Sequence, residues 1–335
     1  MLDIFLFAFN AIIPIILLIA LGYILKQKNF LSDDFLKTGN KFVFKVCLPC
    51  LLFINVYSIS SFSDIDWSIV IYAVAAIFVI FGLGVIFVKF FVEESKQKGV
   101  VLQCLFRSNY AIIGLPLAQS LGGDKGLEVA AILSAFSIPV FNILAVLALS
   151  MYSEGKADYK KVLVNICKNP LILGVLAGLV VLVIRSFIPL NEANELAFSF
   201  SRDLKFLYKA IENVSKIASP LALVVLGGTF NFSQTKGMLK QVLFGTIGRV
   251  VVVPTITITT AILLTKYTNL INFDATVYPA MIALFASPVA VSSAIMASQM
   301  NNDGELAGQY VVWTSLVSIV SIFIIVVILK SMMLL

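Results

Sequence analysis

The chain has 335 residues, of which 60% are hydrophobic and 13% are charged, and it carries a net charge of +6. Soluble domains carry roughly 25% charged residues, so this composition excludes a water-soluble protein and indicates an integral membrane protein. The sequence contains no histidine, which excludes histidine-dependent catalysis and histidine-ligated metals. We expect no metal site, no cofactor and no nucleic-acid partner, because a positive excess in a membrane protein is usually a topology signal.

Ten stretches are long and apolar enough to cross a bilayer, which takes about 20 largely apolar residues. In chain order these predicted spans 1–10 are residues 4–25, 46–63, 67–88, 99–123, 129–153, 162–184, 217–235, 241–265, 275–302 and 306–329. The sequence therefore predicts an all-α membrane protein with ten transmembrane helices. The longest polar link, 185–216, is too short for a catalytic domain, and its mixture of aromatic and charged residues predicts a helix lying at the membrane surface.

The lysines and arginines of the links predict the orientation, because they are enriched on the cytoplasmic side. If the N-terminus is outside, the cytoplasmic segments hold 14 of these residues and the outer segments hold 8. Five of the 8 lie in the 185–216 link, where four acidic residues accompany them. We therefore expect both termini on the non-cytoplasmic side of the cell (inner) membrane.

The two halves of the chain carry matching helix-breaking residues. The matched pairs are Pro14 with Pro170, Gly22 with Gly178, and Pro49 with Pro220. Each half holds five spans, an odd number, so the second half must enter the bilayer upside down relative to the first. The sequence predicts two inverted five-helix repeats, residues 1–153 and 154–335.

Spans 4 and 9 carry the polar and helix-breaking residues that indicate a binding site. Span 4 reads Arg107-Ser-Asn-Tyr-Ala-Ile-Ile-Gly-Leu-Pro116, and span 9 reads Phe285-Ala-Ser-Pro-Val-Ala-Val-Ser-Ser293. An offset of 179 aligns Asn109 with Pro288. Transporters built from inverted repeats hold their site near the midplane, where corresponding helices are broken. Two broken helices that cross would present positive helix N-termini to an anion; the alternative is that the prolines are ordinary kinks.

The buried charges of the spans have one sign. Arg107 and Arg249 lie deep in spans 4 and 8, whereas no Asp or Glu lies deep in any span. A charge at a helix centre costs about 3 kcal/mol and is a functional hypothesis by default. Because arginine can hold a carboxylate with two hydrogen bonds, both arginines are candidate contacts for an anion; the alternative is that they extend to the membrane surface.

The candidate substrate-binding residues therefore cluster in spans 4 and 9. They are Arg107, Asn109, Tyr110, Gly114, Pro116, Ser287, Pro288, Ser292 and Ser293, together with Asn142 and Arg249. Weaker candidates are Asn55, Gln119 and Gln299.

At these residues the chain resembles the auxin efflux carrier family, which includes plant PIN-type auxin exporters and bacterial permeases for malate and related organic acids. The resemblance rests on the spacing of Pro14 and Gly22, on Leu48-Pro49, on the 107–116 motif and on Ser287-Pro288, and it covers essentially the whole chain. It implies a fold related to those of bile-acid symporters and sodium–proton antiporters, in which the broken spans 4 and 9 cross.

The resemblance also implies how such a protein moves. A transport unit of spans 3–5 and 8–10 would move against a scaffold of spans 1, 2, 6 and 7, which is an elevator mechanism, and a homodimer is implied as well. One departure concerns the substrate. The plant exporters have Asn-Pro at both crossing points, whereas this chain has Asn109-Tyr110 and Ser287-Pro288, so auxin is a poor candidate.

The sequence favours a bilayer-embedded secondary carrier of small organic anions, with malate-like mono- or dicarboxylates as the leading substrate class. A carrier coupled to Na⁺ or H⁺ through Asp303, Glu128 or backbone carbonyls is an alternative. A membrane sensor without transport is a second alternative, although no output domain is encoded. An enzyme is least favoured, because the sequence offers neither histidine nor a deep acidic pair.

Overall fold

The computed structural model describes residues 2–58, 66–152, 168–189, 196–230, 237–268 and 270–335, with side chains described from residue 13 onward except at residue 186. These parts of the chain form helices, and the one extended contact among them is a single β-bridge. Six helices are long and apolar enough to cross a membrane, and three shorter ones are also apolar. The structure is that of an all-helical, multi-pass membrane protein.

Helices α1 to α11 follow one another along the chain. They are α1 (Leu2–Gln27), α2 (Asp33–Tyr57), α3 (Trp67–Phe91), α4 (Ser95–Phe106), α5 (Tyr110–Met151), α6 (Pro170–Ser186), α7 (Lys205–Thr229), α8 (Leu239–Tyr267), α9 (Val277–Ala286), α10 (Ser292–Gln299) and α11 (Gly304–Ser331). Predicted span 4 corresponds to α4 and the start of α5, and predicted span 9 corresponds to α9 and α10.

Three helices accommodate a proline by means of a wide π-helical turn. These turns are Val43–Cys47, Tyr110–Gly114 and Gly248–Val252, followed two residues later by Pro49, Pro116 and Pro254 respectively. Proline lacks an N–H and its ring crowds the carbonyl four residues earlier. A locally wider turn relieves that conflict, so α2, α5 and α8 continue through their prolines.

Helices α1 and α7 touch backbone to backbone. A Cβ added at Gly22 would overlap the carbonyl oxygen of Val224, and one added at Gly227 would overlap that of Ile19. Small residues allow helices in membranes to approach this closely. The crossing of α1 and α7 therefore depends on glycine at both positions.

Helices α2 and α6 make a second crossing of the same kind. A Cβ at Gly174 would lie 2.6 Å from the carbonyl oxygen of Pro49, and one at Gly178 would lie 2.7 Å from Cβ of Val56. These contacts and those of α1 with α7 form two closely packed helix pairs on the side of the molecule that faces the site described below.

The structure corrects one sequence prediction about a link and agrees with one predicted boundary. Residues from Lys205 onward belong to α7 instead of a separate surface helix, and only a short helix, Phe200–Asp203, precedes it. The break between predicted spans 4 and 5 falls at Gly123, the predicted end of span 4: this residue has φ 61° and ψ −150° and separates two helices within Leu115–Met151, a conformation open essentially to glycine alone. The predicted starts or ends at residues 63, 153, 162 and 235 lie outside the described residues.

Candidate functional site

The interruptions of α4–α5 and α9–α10 lie against each other. The first comprises residues 107–109 and the second residues 287–291, and we call the two together the crossover. The Asn109 amide donates a hydrogen bond to the Pro288 carbonyl oxygen at 2.8 Å, and Ser108 forms an antiparallel bridge with Val289. Two broken helices therefore meet through backbone hydrogen bonding, as extended chain does in a sheet.

The crossover has two electrically different sides. Helices α5 and α10 begin there, and a helix N-terminus carries roughly half a positive charge together with unpaired amide donors. Helices α4 and α9 end there, and a helix C-terminus carries the opposite partial charge. One side therefore favours an anion and the other favours a cation.

A cavity lies on the side of the helix N-termini. It is lined by residues at the starts of α5 and α10, including Tyr110, Ala111, Val291 and Ser292. About 60 Å³ of it is open to the centres of water molecules, and one water needs roughly 10–15 Å³ by this measure. The cavity therefore fits a compact polar solute.

Arg107 supplies the positive charge of this cavity. Its side chain lines the cavity and is 4% exposed. One terminal nitrogen donates to Asn142 Oδ1 at 2.7 Å and to Ser292 Oγ at 2.8 Å, and the other contacts the sulfur of Met296. No carboxylate pairs with Arg107 within the described part of the chain, so its charge is held by neutral groups alone.

Two more polar side chains at the cavity have unused hydrogen-bonding capacity. Asn109 is 4% exposed and Ser108 is 5% exposed. Neither Asn109 Nδ2 nor Ser108 Oγ has a hydrogen-bond partner among the residues that the structure describes. Asn109 occupies the position before α5, where asparagine usually caps the helix, yet its side chain makes no capping bond. A buried donor without a partner costs about 1–3 kcal/mol, so these groups favour a ligand that accepts hydrogen bonds.

The opposite wall of the cavity comes from α2, α6 and α7. It is mostly aliphatic and consists of Leu48, Leu51, Leu52, Leu171, Ala218 and Ala222, with Asn55 and Ser219 as its polar members. The cavity thus lies between two groups of helices, one bearing the charged and polar crossover and the other presenting alkyl side chains.

Arg249 lies on the other side of the crossover and does not line the cavity. It is fully buried, and its guanidinium donates to four backbone carbonyls: those of Leu105 and Phe106 at the end of α4 and those of Leu284 and Ser287 at the end of α9. The sequence predicted Arg249 as a direct contact of the substrate. In the structure every N–H group of its side chain points to a backbone carbonyl.

Five other candidates from the sequence do not line the cavity. Ser287 bonds back to the carbonyl of Ala283 at 2.6 Å, and Pro288 accepts the Asn109 amide. A Cβ at Gly114 would overlap the ring of Tyr110, so glycine lets that ring pack. Pro116 is exposed, and Ser293 is buried with no partner for its hydroxyl among the described residues.

The remaining candidates divide between the cavity and the surface. Asn142 lines the cavity and donates to the Ile138 carbonyl at 2.8 Å while it accepts from Arg107. Asn55 also lines the cavity, whereas Gln119 and Gln299 do not.

Ser108 and the alkyl wall of the cavity were not predicted from the sequence. Ser108 had a signal, since it lies between Arg107 and Asn109 in the motif. The leucines and alanines of α2, α6 and α7 had none, because they look like any apolar residues of a membrane helix.

Asp303, which the sequence offered as a ligand of a coupling cation, makes other contacts in the structure. Asp303 accepts the Leu306 amide at 2.9 Å as the cap of α11, and its second oxygen accepts from Gln97 at 3.2 Å. Among the described residues no group of three Cys, Asp or Glu side chains is arranged to hold a metal ion.

Apolar helices that cross a bilayer, broken at a polar crossover beside a cavity, are the arrangement of a membrane transporter. The chain belongs to the membrane transport protein family, whose model matches residues 7–326. This is a family of transporters and not of enzymes, and it agrees with the resemblance to auxin efflux carriers at the level of the family. A search of curated proteins finds no match to the chain.

Proposed function

We propose that this transporter is a secondary carrier of small organic anions, with malate-like mono- and dicarboxylates as its substrate class. The observation that carries the proposal is Arg107, a buried guanidinium at the cavity whose partners among the described residues are all neutral. Removing a charge from water costs several kcal/mol unless it is paired. A carboxylate in the cavity would pair it, and arginine matches a carboxylate with two parallel hydrogen bonds.

The polar groups around Arg107 also favour a negatively charged ligand. Asn109 Nδ2 and the amides at the starts of α5 and α10 are donors, and a partly buried anion gains up to about 2 kcal/mol from a helix N-terminus. The alkyl wall opposite suits the methylene groups of a short organic acid, and the small volume disfavours a multi-ring solute.

The position of the cavity supports an elevator mechanism. In this proposal α3, α4, α5 and α8–α11 form the transport unit, and α1, α2, α6 and α7 form the scaffold. The charged wall belongs to the first group and the alkyl wall to the second, so relative movement would carry the solute without dismantling its binding groups. The transport unit would then expose the crossover to each side of the membrane in turn.

The packing of the scaffold supports the inverted repeat. If span 1 corresponds to span 6 and span 2 to span 7, the contact of α1 with α7 corresponds to that of α6 with α2. Both contacts depend on glycine, and the matched residues Gly22 and Gly178 take part in one each. The Asn109–Pro288 hydrogen bond likewise joins two residues that the repeat aligns. The two repeats would comprise residues 1–153 and 154–335.

Location and assembly complete the proposal. The carrier would lie in the cell (inner) membrane with ten spans and both termini on the non-cytoplasmic side, as the distribution of lysine and arginine favours. A homodimer is the assembly that we propose from the family resemblance.

Uptake by reconstituted vesicles tests the proposal. Protein in liposomes should accumulate radiolabelled malate or a similar acid, and excess unlabelled organic acid should compete while organic cations should not. Protein-free liposomes and an Arg107→Gln preparation are the controls. Uptake of cations in preference to anions would contradict the proposal, and anion binding without uptake would favour the sensor instead.

Replacing Asn109 separates binding from folding. Because Asn109 Nδ2 has no partner in the described part of the chain, Asn109→Ala should leave the melting temperature in detergent unchanged or slightly higher. The same change should weaken anion binding about 10-fold or more, since a hydrogen bond to a charged group contributes about 1.5–3 kcal/mol. Thermal unfolding with and without malate measures both quantities. An unaltered affinity in a folded Asn109→Ala protein would remove this residue from the site.

A further inference from the structure

The carbonyl side of the crossover is a place where a carrier of this architecture can hold a cation. In transporters with broken helices, unwound carbonyls and the C-terminal ends of half-helices coordinate the coupling Na⁺. The ends of α4 and α9 meet in this way, and the last carbonyls of a helix have no intrahelical partner. These carbonyls therefore need hydrogen-bond donors or a cation between them.

Arg249 meets that need with all of its donors. Its Nε donates to the Ser287 carbonyl at 3.0 Å, and its two terminal nitrogens donate to Leu105 at 3.2 Å, Phe106 at 3.4 Å, Leu284 at 3.2 Å and again Ser287 at 2.9 Å. A guanidinium has five N–H groups, so its hydrogen-bonding capacity is used completely. Three of the acceptors are carbonyls from the last turns of α4 and α9, and Ser287 follows α9 directly.

The helix that supplies Arg249 is shaped to deliver it. Arg249 lies in the π-helical turn Gly248–Val252 of α8, which precedes Pro254. A π-helical turn shifts the direction of the side chains that it carries, and such turns are frequent at functional sites. A third helix thus places one fixed positive charge between two helix ends that belong to different halves of the chain.

We infer that Arg249 is a built-in cation that takes the place of a coupling Na⁺ at the crossover, so that the carrier binds its anion without a metal cation there. The structural half of this inference, a tethered charge that joins α4 to α9, stands on the hydrogen bonds alone. The half that concerns coupling rests on the proposed carrier function. A sodium ion could reach these carbonyls only by displacing a guanidinium that already satisfies them.

Removing the Arg249 guanidinium tests the structural half of the inference, that this charge joins α4 to α9. Arg249→Ala should lower the melting temperature of the detergent-solubilised protein by about 5 °C or more, because a buried network loses its charged partner. Methylguanidinium at millimolar concentration, added before extraction, should restore much of the loss by occupying the vacated space. Arg249→Met is the matched control: it also removes the charge but fills the space, so methylguanidinium should not restore its melting temperature.

Two results would overturn the structural half. One is an Arg249→Ala protein as stable as the wild type. The other is an Arg249→Ala protein whose loss is not restored by methylguanidinium, or is restored no better than that of Arg249→Met. If Arg249→Ala cannot be extracted folded, Arg249→Lys keeps the charge with three donors and should have a melting temperature between those of the wild type and Arg249→Met. An Arg249→Lys protein no more stable than Arg249→Met would also contradict the inference.

Wild-type protein tests the half that concerns coupling. The melting temperature and the Kd for malate should each be the same in Na⁺ and in choline at equal ionic strength. Stabilisation or tighter malate binding that requires Na⁺ would overturn it. If no organic anion binds under either condition, the proposed function fails, whereas rescue of Arg249→Ala by methylguanidinium would still establish the tethered cation.

Discussion

Arg107→Gln is expected to weaken the binding of a malate-like anion by about 10- to 100-fold, the effect of losing a charge-assisted hydrogen bond worth about 1.5–3 kcal/mol. Glutamine keeps one amide donor but is shorter, so the change removes both the charge and the paired donors that could hold a carboxylate. The folded state should survive, because the present partners of the guanidinium, Asn142 and Ser292, are neutral groups, so that no opposite charge is left buried and unpaired. Isothermal titration or ligand-dependent thermal unfolding measures the effect.

Two further variants show whether the effect comes from charge at this position. Arg107→Lys keeps the charge as a single ammonium and should bind with an affinity between those of the wild type and Arg107→Gln, since it lacks the paired geometry for a carboxylate. Lys240→Gln removes a cation from the exposed start of α8, away from the cavity, and should leave the affinity unchanged. An Arg107→Gln protein with wild-type affinity would give Arg107 a purely structural role.

Gly227→Val is expected to disrupt the scaffold more than any single change at the cavity. Its Cβ would overlap the carbonyl oxygen of Ile19 on α1, which is backbone and cannot rotate away as a side chain can. Overpacking typically costs 1–3 kcal/mol, and we expect about 3 kcal/mol or more here because two helices must separate. The yield of folded protein and its melting temperature measure the loss, which should be about 5 °C or more.

Gly82→Val is the matched control for this change. Gly82 also lies within a long apolar helix, α3, but no atom lies within 4 Å of a Cβ added there. The same substitution should therefore leave the melting temperature nearly unchanged. If Gly227→Val were as stable as Gly82→Val, α1 and α7 would not cross as closely as the structure has them.

The crossover is the part of the molecule that the sequence predicted best. Helix breakers and polar residues are rare enough in apolar spans to be read individually, and the offset that aligned Asn109 with Pro288 selected the two residues that share a hydrogen bond. The boundaries of the helices were predicted less well. Helices begin at polar residues such as Lys205 and Asp33, and their apolar parts start later along the chain. A helix can extend beyond the membrane, and a hydropathy pattern detects only its apolar part.

The different surroundings of the two buried arginines were not predictable. Arg107 and Arg249 look alike in sequence, since each is a single cation in an apolar span. What separates them is the side of the crossover on which each lies, and this depends on the π-helical turn of α8 and on the direction in which four half-helices meet. Those are properties of packing across the two halves of the chain, and no local pattern records them.

The glycine contacts of α1 with α7 have a consequence for motion. One residue along a helix is a step of about 1.5 Å, and an axial slip by one step would bring a neighbouring Cβ against a carbonyl where Gly22 or Gly227 now lies. The pair is thus locked in register. The alkyl surface that α2 and α7 present to the crossover, including Leu51 and Ala222, consists of side-chain atoms without such steric stops. Large displacements should concentrate along that smooth surface and be nearly absent between α1 and α7.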